Sequence, residues 1–138
     1  MRKLFLTLLT CLILLSPDVV MSETMGDLVK HEGSWFKKFT KVPFTRKVTG
    51  QFQGIIKNGK MEGAWVGYRE DGQLMSKGNY KNGVLEGSWV DYRKDGQLWE
   101  IGNFKNGKKG GSWVSYNEDG TVDKKNTGTY KNGEKISD

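Results

Sequence analysis

Apolar and glycine positions recur along most of this chain at a fixed interval of 24 residues, and that interval sets the elements it predicts. Gly63-Ala64-Trp65-Val66-Gly67-Tyr68 returns as Gly87-Ser88-Trp89-Val90-Asp91-Tyr92 and again as Gly111-Ser112-Trp113-Val114-Ser115-Tyr116. Two turn series divide each unit. One is Asn58-Gly59, Asn82-Gly83, Asn106-Gly107 and Asn132-Gly133; the other is Asp71-Gly72, Asp95-Gly96 and Asp119-Gly120. Such pairs are strong hairpin signals, because a two-residue type I′ turn needs positive φ at both central residues. Eleven residues separate Gly83 from Asp95 and nine separate Gly96 from Asn106, which are strand lengths once the turns are removed. The prediction is an all-β repeat: an antiparallel meander of hairpins, two strands per 24-residue unit, each unit burying its apolar face against its neighbours.

Two-residue turns fix a register. At Asp95-Gly96 they pair Tyr92 with Trp99, Val90 with Ile101, Trp89 with Gly102 and Gly87 with Phe104. At Asn82-Gly83 they pair Tyr80 with Leu85 and Gly78 with Gly87. Both turns put Gly78, Tyr80, Leu85, Gly87, Trp89, Gly102 and Phe104 on one face, where an aromatic ring covers the bare backbone of a glycine across the ladder, with Trp89 expected over Gly102. The opposite face carries Val90, Tyr92, Trp99 and Ile101 among polar residues and reads as half exposed.

The ends depart from the repeat. Met1-Arg2-Lys3 precedes an apolar run from Leu4 to Leu15, broken by Ser16-Pro17-Asp18 and followed by small or modest residues at Val20-Met21-Ser22. That is the order of a secretory signal peptide over residues 1–22, and the run is shorter than the roughly 20 apolar residues a membrane span needs. Cys11, the one cysteine, sits inside the run; Thr10 before it is larger than lipid-attachment boxes prefer. Residues 23–32 read as a loose leader. Residues 33–53 read as a divergent half-repeat, in which Gly33-Ser34-Trp35 echoes the repeat and Phe39, Pro43 and Phe44 cap the first strands. Residues 54–138 hold the repeats.

Composition adds little beyond charge. Lys and Arg number 22 against 16 Asp and Glu, a net charge of +6. A basic exported chain favours acidic surfaces, whether protein, anionic lipid or polysaccharide, and no nucleic-acid motif is present. His31 is the single histidine, and no recognisable nucleophile motif, phosphate loop or metal-ligand spacing accompanies it, so neither a catalytic site, a metal site nor a cofactor is expected. Asp71, Asp95 and Asp119 precede glycine at hairpin tips, where Asp is wanted for the backbone. Lys57, Lys81, Lys105 and Lys131 each precede an Asn-Gly turn, and strand spacing sets successive ones about 9.5 Å apart along one edge. This lysine ladder is either a solvated edge that discourages sheet association or an anion-binding edge. Trp99 stands where other repeats have Met75 and Asp123, so repeat packing does not require it, and it is the aromatic candidate for a binding contact.

Gly78-Asn79-Tyr80-Lys81-Asn82-Gly83, followed by Gly87, Trp89, Tyr92, Asp95-Gly96 and Leu98, resembles the MORN-repeat variant position by position, as do its copies over about residues 50–134. Ile56 and Phe104 replace the family's Tyr, and Thr121-Val122 replaces Gln-Leu. The resemblance implies MORN-type hairpins and a non-enzymatic binding or scaffold module. Some relatives of this kind are membrane-associated and some are named as antitoxin-like components. The expected function is protein–protein interaction in the periplasm or cell envelope, with an unidentified partner. Peripheral attachment to an anionic membrane through the lysine edge is the alternative, and pairing of edge strands between copies offers a route to oligomers. The exported product is expected to begin near Glu23. Mass spectrometry of exported protein checks this, and a product retaining residues 1–22 or carrying lipid on Cys11 would contradict it.

Overall fold

The computed structural model describes residues 22–138; the expected export signal, including Cys11, lies outside them but for Ser22. The strands are β1 (Glu23–Thr24), β2 (Leu28–His31), β3 (Ser34–Lys37), β4 (Arg46–Thr49), β5 (Phe52–Lys57), β6 (Lys60–Tyr68), β7 (Leu74–Lys81), β8 (Val84–Tyr92), β9 (Leu98–Lys105), β10 (Lys108–Ser115), β11 (Gly128–Lys131) and β12 (Glu134–Ser137). From β4 to β12 they follow one another in a single antiparallel meander. β1 adds a parallel edge strand to β4, giving ten strands, while β2 and β3 form a separate hairpin. The fold is the all-β repeat expected, two strands to each unit.

The Asn-Gly corners are the expected two-residue turns. Asn58, Asn82, Asn106 and Asn132 have φ of 49°, 51°, 51° and 54°, and the glycine after each is positive as well. Asparagine tolerates this region better than other side-chain residues, and glycine meets no penalty there. The Asp-Gly corners differ from expectation. Gly72, Gly96 and Gly120 donate their N–H groups to the carbonyls of Arg69, Arg93 and Asn117 at 3.0, 3.0 and 3.1 Å. Only the glycines, at φ of 83°, 85° and 81°, are left-handed. Each Asp carboxylate instead accepts the N–H two residues on, at 2.9 to 3.0 Å. These are three-residue loops ending on a left-handed glycine. The extra residue shifts the register at the corner, so Tyr92 faces Leu98 rather than Trp99, while Val90–Ile101, Trp89–Gly102 and Gly87–Phe104 pair as expected.

Gly78 also departs from expectation, facing Trp89 rather than Gly87. Between the Gly78–Trp89 and Tyr80–Leu85 pairs, β8 carries two more residues than β7, and the surplus is absorbed at Gly87, whose φ is 84°. The same irregularity recurs at Gly63 (φ 68°) and Gly111 (φ 69°). Glycine is required there because a bulge turns the strand through a conformation costly to other residues. The bulge adds twist at the same place in every repeat.

The packing rule is sharper than the pairing. A Cβ built on Gly54 would lie 2.3 Å from the Trp65 ring, one on Gly78 2.1 Å from Trp89, and one on Gly102 2.2 Å from Trp113. Each ring therefore lies on the glycine of the preceding strand. Trp89 pairs with Gly102 but covers Gly78, and the ring over Gly102 is that of Trp113. Between these rings sit Tyr80 and Phe104. Trp65, Tyr80, Trp89, Phe104, Trp113 and Tyr130 form an unbroken edge-to-face series with centroids 5.0 to 6.5 Å apart. Such contacts add about 0.5–1.5 kcal/mol each beyond area burial.

The N-terminal residues are ordered into the fold rather than a loose leader. Glu23 is buried beside Val48 and ion-paired to Lys37. Leu28, buried, joins Phe44, Val48, Ile56 and Trp65 in the main core, with Met25, Trp35, Met61 and Tyr80 around it. A Glu32-Gly33 turn with φ of 46° and 70° closes β2 onto β3. These short, mixed segments carry no periodicity of their own; the buried Leu28, the Glu23–Lys37 pair and the Trp35 N–H donated to the Gly59 carbonyl at 2.8 Å dock them. Of the three residues expected to cap the first strands, Phe44 is buried in this core and Pro43 bridges to Phe36, whereas Phe39 is fully exposed.

Gly102→Val drives a branched side chain into the buried Trp113 ring. It is expected to destabilise the protein by about 1–3 kcal/mol in denaturant unfolding, as overpacking does. Ser88→Val, at an exposed position on the opposite face, is expected to change stability little. Equal losses from the two substitutions would contradict the face assignment.

Candidate binding site

Lys57, Lys81, Lys105 and Lys131 close β5, β7, β9 and β11, each one residue before an Asn-Gly turn, and all four are exposed. They therefore share one edge of the meander. The edge is less uniformly basic than its lysines alone imply. The turn amide of Asn82 donates to a Glu62 carboxylate oxygen at 2.7 Å, and that of Asn106 to Glu86 at 2.7 Å. In the first turn Asn58 donates instead to the Thr45 hydroxyl at 2.7 Å. Lys60, on the same edge, donates to the Gly33 carbonyl at 2.6 Å, fastening the β2–β3 hairpin to the sheet.

Trp99 lies elsewhere. It is the second residue of β9 while Lys105 closes it, and six steps of about 3.3 Å put the two roughly 20 Å apart. Its side chain is 48% exposed, on the face opposite the aromatic series, two residues from Ile101 at 39%. The Arg93 guanidinium stands 5.6 Å from its ring centroid and donates to the Tyr116 carbonyl at 2.5 Å. Arg69 makes the equivalent bond to the Tyr92 carbonyl at 2.8 Å. These arginines tie one repeat to the next and floor a shallow cleft of about 540 Å³ shared by Trp99, Tyr92, Asp95 and Glu118. The candidate residues thus fall into two surfaces, the lysine edge and the Trp99 cleft.

The turns, bulges and ring-on-glycine packing of β6–β7 and β8–β9 coincide with residues 61–82 and 85–106, which match the family model described as the MORN repeat variant. The chain contains MORN-variant repeats. Each matched unit starts just past an Asn-Gly turn and runs to the next Asn, so in this chain it is one long hairpin closed by a three-residue Asp-Gly loop. The strands from β10 onward keep the same turns and rings outside the match. No curated protein and no solved structure matches the chain.

One polar cluster escaped the sequence reading. On the aromatic face Asp91 and Glu100 stand directly opposite each other on β8 and β9. Trp89 Nε1 donates to Asp91 at 2.7 Å, and Lys109 Nζ donates to Glu100 at 2.6 Å. The same ammonium lies 4.0 Å from the Trp113 ring centroid and 5.6 Å from that of Tyr130. Burial raises the Asp91 carboxyl above its ordinary value; the Trp89 hydrogen bond opposes this and the neighbouring Glu100 adds to it. Burial also raises the Tyr80 phenol, helped by Asp91. The signal was available in the repeat itself. Asp91 stands where MORN-variant neighbours have Gly67 and Ser115, Glu100 where there is Ser76, and Lys109 where there are Met61 and Leu85.

Because folding raises the Asp91 pKa, its contribution is most favourable below the unfolded-state value of about 3.8 and is lost as pH rises through the folded-state value. Asp91→Asn keeps an acceptor for Trp89 and removes the buried charge. It is expected to raise the melting temperature at pH 7, with the gain vanishing below pH 3.8. A loss of stability at pH 7 would contradict the balance of effects assigned here.

Proposed function

We propose that the protein is an exported, non-catalytic scaffold of the cell envelope whose MORN-variant repeats hold a binding surface for a protein partner. Trp99 carries this reading. It departs from its repeat equivalents, is half exposed, and is held in place by an arginine that is itself anchored to the next repeat. Exposed tryptophan beside arginine on a rigid element is the composition of an interface hot spot, because tryptophan supplies large contact area at small entropic cost and arginine a planar fork of donors. The repeats supply the rigidity. Membrane attachment through the lysine edge draws less support, since Glu62 and Glu86 place carboxylates among the lysines of that edge.

A photo-reactive phenylalanine derivative placed at position 99 of the full chain, expressed in its native host, is expected to give a protein adduct of defined mass that persists at high salt. The same probe at Lys125 is expected to give none. In flotation with anionic vesicles, binding is expected to be weak, salt-sensitive and lost when Lys57, Lys81, Lys105 and Lys131 are all changed to Gln. Strong, salt-resistant flotation with no adduct at position 99 would overturn the protein-partner reading.

A further inference from the structure

Four Asn-Gly turns line the lysine edge, and three of their Asn amides are capped by a side chain: Asn58 by Thr45, Asn82 by Glu62 and Asn106 by Glu86. The fourth, Asn132, has no side-chain acceptor among the described residues. The cause is one substitution within the repeat. Glu62 and Glu86 are 24 residues apart, and the next position in that series is Gly110. The turn itself follows the series: Asn132 has the same left-handed φ, and Gly133 donates to the Lys109 carbonyl at 2.9 Å, just as Gly107 donates to Leu85 and Gly83 to Met61.

Nothing in the backbone demands glycine at 110. Its φ is not left-handed, and an added Cβ would meet only the Lys105 Cβ at 3.5 Å, an ordinary contact. What the glycine removes is a carboxylate. In its place lies a groove of about 700 Å³, with Phe104 and Tyr130 along its walls, Lys105, Lys108 and Lys131 around it, and the Asn132 turn lining it. Glu86 also lines the groove, but its carboxylate is engaged by the Asn106 amide. Three lysines, a turn N–H without a side-chain acceptor and two aromatic residues line it, a composition suited to a carboxylate carried on a short apolar stem.

We propose that the Gly110 groove is a carboxylate-binding site, and that its ligand is a glutamate side chain of a partner protein, which completes the turn cap that Glu62 and Glu86 supply internally at the preceding junctions. The inference rests on the reading of the chain as a binding module. It uses a different surface from Trp99, so failure here leaves crosslinking at position 99 untouched, and the reverse. The ligand's chemistry comes from the repeat itself: the two neighbouring junctions show which group fills this position and which amide it meets.

The test is amide NMR of the folded chain titrated with the capped tripeptide acetyl-Gly-Glu-Gly-amide, its Gln counterpart, and inorganic phosphate. The Glu peptide is expected to give a saturable downfield shift of the Asn132 N–H. The Gln peptide is expected to bind about fivefold more weakly, as a neutral acceptor replaces a charged one. Lys105→Gln with Lys131→Gln is expected to weaken the Glu peptide further. Gly110→Glu is expected to shift the Asn132 N–H downfield without any peptide and to abolish the titration, while Gly110→Ala, which adds a Cβ and no carboxylate, keeps it. The assignment is overturned if the Asn132 N–H does not respond to the Glu peptide, or if Gly110→Glu leaves both that resonance and the titration unchanged. Phosphate binding as tightly as the Glu peptide would overturn the carboxylate specificity.

Discussion

A tryptophan ring resting on the bare backbone of a glycine eleven residues earlier is the contact on which this structure depends. It joins the second strand of one hairpin to the first, and it recurs as Trp65 on Gly54, Trp89 on Gly78 and Trp113 on Gly102. The next strand again offers glycine or an aromatic ring, so the rings interlock across hairpin boundaries as a continuous edge-to-face series. A sheet with few conventional core residues can be held this way. Beyond the N-terminal cluster around Val48 and Ile56, Trp113 is the only buried hydrophobic residue among those described. Most of the aromatic side chains are half-buried, shielded by one another rather than by a second layer.

How much of this was legible depends on how many physical solutions a residue pair allows. Asn-Gly at a hairpin tip has one strongly favoured geometry, and all four such turns adopt it. Asp-Gly has two, the two-residue turn and the three-residue loop in which Asp caps the backbone ahead of it, and the second one holds here. That single residue of loop length moves Tyr92 opposite Leu98. Trp89 was legible as packed on glycine, but both flanking strands offer one, at Gly78 and Gly102. Only the direction of the side chain decides between them. The bulge glycines Gly63, Gly87 and Gly111 look like seats for rings in sequence, and their left-handed backbone becomes visible only when the register is counted.

The surfaces that bear on function are the places where the repeat breaks its own pattern. Trp99, Asp91, Glu100 and Lys109 each differ from their equivalents one repeat away, and Gly110 omits a glutamate that both earlier copies carry. Lysines alone were a poorer guide, because Glu62 and Glu86 reach across to the next turn and temper the charge of that edge. That reach depends on a side chain spanning to a neighbouring hairpin, which strand pattern does not encode. In a chain of repeats the shared positions maintain the sheet, and the unshared ones are free to do something else.

The central claim, that ring and glycine act as one joint between strands, is tested most directly by a double-mutant cycle on Gly102 and Trp113. Unfolding free energies would be measured for the native protein, Gly102→Ala, Trp113→Leu and the double variant. If Trp113 rests on the bare backbone at 102, the methyl group is costly only while the ring is present. The two changes should then be coupled by about 1–3 kcal/mol, with Gly102→Ala nearly neutral in the Trp113→Leu background. Additive losses would show that the glycine and the ring contribute separately, and the joint would not exist.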